Sequence, residues 1–335
     1  MDSEIPKMHN LENRVFTINN ESTFETIALE IYRYQFDNNP VYGKFCKILG
    51  KIPDVVTNLA EIPFLPISFY KSHKIVTSAF QPELIFQSSG TTGPNSSYHY
   101  VKNKGIYEKS FNKCFELFYG KVDKYCILGL LPSYLEKGNS SLVYMVNSLI
   151  QQSNHSRSGF YLYELEHLYQ SLKELKKENQ KVILFGVTYA LLEFAQRFPL
   201  LFDSMIVIET GGMKGRGREL TRQELNNELC RSFGVANIHS EYGMTELLSQ
   251  AYAINGLFQS PPWMKILVRD ETDPFSLKVP GQTTSGAINV IDLANIYSCS
   301  FIATDDVGRL YSNGSFEVLG RMDNSDIRGC SLLAL

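Results

Sequence analysis

The chain has 335 residues, of which 44% are hydrophobic and 20% charged, and its formal net charge is −3. That length suits one large α/β domain or two smaller ones, and the balance is ordinary for a folded soluble chain. The near-neutral charge excludes a global basic field that would recruit nucleic acid or anionic membrane, and no apolar run is long enough to imply membrane insertion.

Met1 to Asn20 is polar and mixed in charge, without the apolar core of a signal peptide, so a cytoplasmic location is expected. The cysteines are Cys46, Cys114, Cys126, Cys230, Cys299 and Cys330. None forms a CxxC or Cys/His ligand spacing, which points to reduced thiols, most of them small core residues. The first eighty residues read mainly as helices. Phe24 to Phe36 carries Ile27, Ile31 and Tyr34 at helical spacing. Ile62 to Phe69 holds two prolines and reads as an extended connector.

From Leu84 onward short apolar runs alternate with helical patterns. The expected strands are Glu83–Phe86, Tyr125–Leu130, Val182–Phe185 and Met205–Ile208. Between and after them lie helical patterns at Gly105–Phe118, Ser140–Gln151, Leu165–Lys176, Val187–Phe198 and Arg218–Phe233. This alternation predicts an α/β fold with a parallel-rich sheet. After Tyr252 short β-like pieces dominate, at Lys265–Arg269, Gly286–Ile291 and Ser315–Leu319, and predict a smaller β subdomain.

Four motifs carry chemistry. The first is SSGTTG, Ser88 to Gly93, directly after a strand-like run. Its hydroxyls and glycine-supported N–H groups suit a polyphosphate, and an ordinary polar loop fits the same residues. It is not a GxxxxGK[ST] loop, and the lysine that commonly assists such loops is missing from Pro94-Asn95-Ser96-Ser97. The second is ETGGMKG from Glu209, where Gly211 and Gly212 let backbone approach a flat ligand at the carboxyl end of a strand. The third is HSEYGMTE from His239. Here Tyr242 can stack on a base, Thr245 can bond a phosphate and Glu246 can hold Mg²⁺; a capped helix start is the plainer reading. The fourth is ATDDVGRL from Ala303, followed by LGRMD from Leu319. Asp306 can accept from ribose hydroxyls and Arg321 can reach ribose or phosphate, whereas a hairpin with charged turns would need neither.

Taken in order, these motifs resemble those of the adenylate-forming superfamily. Within it, SSGTTG, LPSYLEKGNSSLVYMV, ETGGMKG, SEYGMTELLSQAY and GRMDNSDIRGCSL are most similar to the acyl-protein synthetase family, over about residues 60 to 335. The resemblance implies the large domain of an adenylate-forming enzyme over residues 1–320, with a helical region to about residue 80, then a hinge at Asp323 and a short tail over 321–335. It implies an enzyme of the acid–thiol ligase type that uses ATP and Mg²⁺ to convert a carboxylic acid, here a fatty acid, to acyl-AMP. By position, Ser88, Ser89, Thr91 and Thr92 would contact the triphosphate, and Gly211, Gly212 and Tyr242 would flank adenine. Thr245 would touch the α-phosphate, Glu246 would bind the metal, Asp306 would hold the ribose and Arg321 would lie nearby.

The chain ends twelve residues after Asp323, where most superfamily members continue for roughly a hundred residues into a second domain. Acyl-protein synthetases share that short ending and are acylated on a cysteine near it. Cys330 stands at the matching position, with Arg328 able to lower its pKa and Gly329 giving the tail freedom. The expected partner is an acyl-acceptor protein such as an acyl reductase or carrier protein. Two rivals stay open: an acyl- or aryl-CoA ligase-like enzyme using CoA or a carrier, and a non-catalytic nucleotide-binding scaffold. His239 reads equally as a base or a hydrogen-bonded histidine beside the site, and Tyr134 and Tyr144 are candidate acyl-pocket residues.

Overall fold

The computed structural model describes residues 4–88, 96–132, 138–211, 221–278 and 281–322. Three helices open the chain: α1 (Glu4–Val15), α2 (Glu21–Asn38) and α3 (Pro40–Ile48). Asn20 caps α2 by accepting from the Thr23 N–H at 2.9 Å, and Asn39 both ends α2 and caps α3, whose first residue is a proline. These caps satisfy orphan donors that a helix start otherwise leaves open. The proline-bearing connector contains strand β1 (Leu65–Pro66) and a single helical turn, α4 (Phe69–Ser72).

The expected alternation follows. In order come β2 (Leu84–Gln87), β3 (Tyr98–Val101), α5 (Lys104–Tyr119), β4 (Cys126–Leu130), α6 (Ser141–Ser153), β5 (Gly159–Phe160) and α7 (Leu165–Lys177). Then come β6 (Val182–Val187), α8 (Thr188–Arg197), β7 (Ile206–Thr210), α9 (Arg222–Phe233) and β8 (His239–Tyr242). Helix α7 shows why periodicity sufficed: Leu165, Leu168, Leu172 and Leu175 form one buried stripe. Helix α9 is fixed at both ends, by a Thr221–Glu224 capping box and by Gly234 at φ 68°.

Strands β5, β4, β6, β7 and β8 run parallel in that order. β4 and β6 are buried along their whole length, as central parallel strands covered on both faces must be. Beyond β8 the sheet turns antiparallel through β9 (Ala251–Ala253), β10 (Phe258–Gln259), β14 (Phe316–Arg321), β13 (Phe301–Leu310), β12 (Thr284–Asp292) and β11 (Met264–Arg269). The expected β region is therefore continuous with the parallel sheet. With β1 joined to β13 the whole is twelve-stranded. β2 and β3 stand apart as an antiparallel hairpin, so the run before SSGTTG is not a member of the parallel sheet. Two of the plainer alternatives give way locally. HSEYGMTE starts as strand β8 and not as a capped helix, and ATDDVGRL lies inside the long strand β13 and not in a hairpin turn.

Candidate active site

The carboxyl ends of the parallel strands β6, β7 and β8 bring Thr188, Thr210–Gly211 and Tyr242–Glu246 to one edge, the usual ligand-binding edge of such a sheet. Gly211 has φ 80°, a conformation that a side chain would strain.

Tyr242 and Asp306 meet although 64 residues separate them, with the Tyr242 hydroxyl donating to Asp306 Oδ2 at 2.8 Å. The Arg321 Nε donates to Asp306 Oδ1 at 3.1 Å across the β13–β14 pair, in which these two residues stand opposite each other. Asp306 is buried while the Arg321 side chain stays exposed. A carboxylate oxygen has two lone pairs, so both contacts leave room for ribose hydroxyls. The Tyr242 ring packs against Phe258 and Phe316, with centroids 5.8 and 5.5 Å away, and burial raises its hydroxyl well above the usual tyrosine range.

Thr245 and Glu246 follow β8 in a turn closed by the Leu247 N–H on the Met244 carbonyl. Glu246 is buried, and burial pushes its carboxyl up; the nearby Ser97 side chain and the charges of Arg321 and Lys71 pull it back. No ion pair to Glu246 is present among the described residues. A desolvated, hard-oxygen carboxylate of this kind fits Mg²⁺, which takes one or two carboxylates and draws its remaining ligands from phosphate and water. No cluster of three or more acidic, histidine or cysteine side chains suited to a metal occurs among the described residues, so the fit is to a metal shared with nucleotide.

Ser88 closes the base of the β2–β3 hairpin: its Oγ accepts the Ser97 N–H at 2.9 Å, and its own N–H donates to the Ser97 carbonyl at 3.1 Å. Its hydroxyl proton is still available to a ligand. Ser89, Thr91, Thr92, Gly212, Asp323 and Cys330, with Tyr134, Arg328 and Gly329, lie outside the described residues. His239 bonds Tyr119, with 3.2 Å between Nδ1 and the hydroxyl, and stacks on its ring; burial lowers its pKa. That environment favours the structural role. Tyr144 packs against Phe86 and Tyr107.

Several site residues escaped motif reading. Glu241 accepts from the Thr210 hydroxyl at 2.7 Å, and Glu209 accepts from the Thr188 hydroxyl. Burial, with Glu209 nearby, pushes Glu241 up to about 7. Its cross-strand neighbour Tyr252 buries a hydroxyl without a partner among the described residues, as Gln250 does its side-chain oxygen. His99, Asp292 and Asn295 also converge on the turn after β8. Asp292 accepts from the N–H groups of Leu248 and Ser249 at 2.7 and 3.0 Å and from the Ser249 hydroxyl at 2.5 Å. His99, Asp292 and Asn295 lie outside every motif, so only the tertiary contacts find them.

Among solved structures, 2-hydroxyisobutyryl-CoA ligase in complex with 2-HIB-AMP and CoA, in the thioesterification state, aligns with a TM-score of 0.68 at 11% identity, over 91% of this chain and 69% of that one. ATP-bound MatB from Rhodopseudomonas palustris aligns with a TM-score of 0.53 at 17% identity over 73% of this chain, and the match spans about half of MatB (49%). These likenesses establish the fold. The long-chain-fatty-acid–luciferin-component ligase of Vibrio harveyi is 25% identical over 329 residues, covering 90% of this chain and 84% of that protein. The family model described as acyl-protein synthetase, LuxE, matches residues 11–334. The chain belongs to the LuxE family of acyl-protein synthetases, ligases that join an acyl group to a protein.

Proposed function

We propose that the protein activates a fatty acid with ATP, takes the acyl group onto Cys330 as a thioester and passes it to an acceptor protein. The observation that carries the reading is the meeting of Tyr242, Asp306 and Arg321 beside the Thr245–Glu246 turn, at the carboxyl edge of the parallel strands. Asp306 and Arg321 would hold the ribose, Tyr242 and Gly211–Gly212 would border adenine, and Thr245 would donate to the α-phosphate. Ser88, Ser89, Thr91 and Thr92 would receive the triphosphate. Glu246 would hold Mg²⁺, which neutralises phosphate charge when bound.

In the first step a carboxylate oxygen of the acid attacks the α-phosphorus, and the bond to pyrophosphate breaks. The acid is already ionised at neutral pH, so no base is required. The barrier is the meeting of two anions, which prearranged donors lower. In the second step the Cys330 thiolate attacks the acyl carbon and AMP leaves with its phosphate oxygen, the thiol proton having gone to solvent. The thioester keeps enough energy for onward transfer. A location in the cytoplasm accords with the reading, and no helix among the described residues is long and apolar enough to cross a membrane.

The test is intact-protein mass after incubation with ATP, Mg²⁺ and a panel of fatty and aromatic acids, with Cys330→Ser alongside. We expect a gain of one acyl group from a fatty acid, lost in Cys330→Ser while pyrophosphate release persists. Pyrophosphate without a mass gain would move the acceptor to CoA or a carrier. Neither signal would leave a nucleotide-binding scaffold.

A further inference from the structure

The turn after β8 is met from two sides, by His99 on strand β3 and by Asn295 in the loop between β12 and β13, and each of these residues is 1% exposed. His99 lies with Nδ1 2.8 Å from the Thr245 carbonyl oxygen and Nε2 3.0 Å from Asn295 Oδ1. The Asn295 amide is fixed in turn, its NH₂ donating to the carbonyls of Glu246 at 2.8 Å and Cys299 at 3.0 Å. The main chain of the Thr245–Glu246 turn is thereby held from β3 and from the loop between β12 and β13.

Burial pulls the His99 pKa down to about 4, against the upward pull of the Thr245 and Asn295 oxygens that face its two ring nitrogens. Tyr70 packs edge-on against the His99 ring with centroids 6.0 Å apart, which holds the ring plane independently of the tautomer.

We propose that His99 and Asn295 are positioning residues that hold the main chain of the Thr245–Glu246 turn, so that the Glu246 carboxylate is set where it would meet metal–nucleotide. The inference rests on the role given above to Glu246. It goes further by assigning a function to two residues outside every motif, which touch neither substrate nor metal. Partners that orient a metal-binding carboxylate are commonly worth about 10–100-fold in metal affinity or activity.

The test uses the full chain with Asn295→Ala, His99→Ala and His99→Gln. ATP binding is measured by calorimetry with Mg²⁺ and with EDTA, and pyrophosphate release is measured at saturating acid. Melting temperatures select variants that fold. We expect the strengthening of ATP binding by Mg²⁺ to fall about tenfold in Asn295→Ala and His99→Ala, with metal-free binding within about twofold of wild type. The kcat for pyrophosphate release should fall more than the KM for the acid rises. His99→Gln should recover part of the loss, because its amide can still donate to the Thr245 carbonyl. Folded alanine variants with the wild-type Mg²⁺ increment and kcat would overturn the proposal, as would equal losses with and without metal, which indicate a merely structural role. A wild-type protein that binds no ATP would remove the underlying functional reading, and this inference with it; active wild type with unaffected variants would remove this inference alone.

Discussion

Glu241 stands beside Tyr242 in the HSEYGMTE motif, yet its neighbours make it a different kind of group. It is partly buried, lies near Glu209 and, among the described residues, has only the Thr210 hydroxyl to offset the loss of water. Its folded pKa of about 7 lies above the ordinary glutamate value, so the folded state holds a proton that the unfolded state has released. The unfolded state binds fewer protons between about pH 4.5 and 7, and stability therefore falls as pH rises through that window. The full shift would correspond to roughly 3 kcal/mol, and the remaining exposure reduces the expected effect to about 1–2 kcal/mol. Glu241→Gln should remove this slope and be more stable than wild type at pH 8 than at pH 5. Urea denaturation of both proteins at the two pH values checks it; parallel pH profiles would contradict the assignment.

Helix α2 shows how an element far from the motifs supports the site. Its Gln35 is fully buried, donates to the carbonyls of Asn295 and Ile296 at 3.0 and 2.9 Å, and accepts the Ser300 N–H at 3.0 Å. The 292–300 loop so held is the one that grips the Thr245–Glu246 turn through Asn295 and Asp292. Gln35→Ala would orphan two buried main-chain groups, the Ile296 carbonyl and the Ser300 N–H, since the Asn295 carbonyl keeps the Ser300 hydroxyl; we expect about 2–4 kcal/mol of lost stability, read as a lowered urea midpoint. A change within 0.5 kcal/mol, the ordinary range for surface substitutions, would show that the loop is held by other contacts. At this scale apolar spacing located α2 and α5–α9, because a helix repeats its buried face locally. It did not locate β13. ATDDVGRL carries two aspartates and a glycine, which local propensity assigns to a turn. Pairing with β12 on one side and β14 on the other makes it a strand, and Tyr242 and Arg321 compensate the buried Asp306.

Across the whole molecule the parallel and antiparallel halves share one sheet, joined through the β8–β9 pair. Trp263, the single tryptophan, reports on that union. Its indole N–H donates to Ser110 at 3.0 Å and Ser249 at 3.1 Å, and its ring packs on Phe16 at 5.1 Å. Helices α1 and α5 and the segment before β9 thus converge on one side chain. Tryptophan fluorescence and far-UV circular dichroism should lose signal at the same urea midpoint. Separate midpoints would divide the expected domain of residues 1–320 into independent folding units.

The sequence by itself determined the fold class, the order of the motifs and the chemistry they imply, because hydroxyl, glycine and carboxylate spacing is a property of the chain. It also determined which residue types could face nucleotide, including Tyr242, Thr245, Glu246 and Asp306. The tertiary structure alone decided how they are held. His99 and Asn295 act on the same turn from positions 196 residues apart, and Glu241 acquires its raised pKa from burial against a neighbouring strand. Such contacts depend on sheet order and on exclusion of water, neither of which is written in any short stretch of sequence.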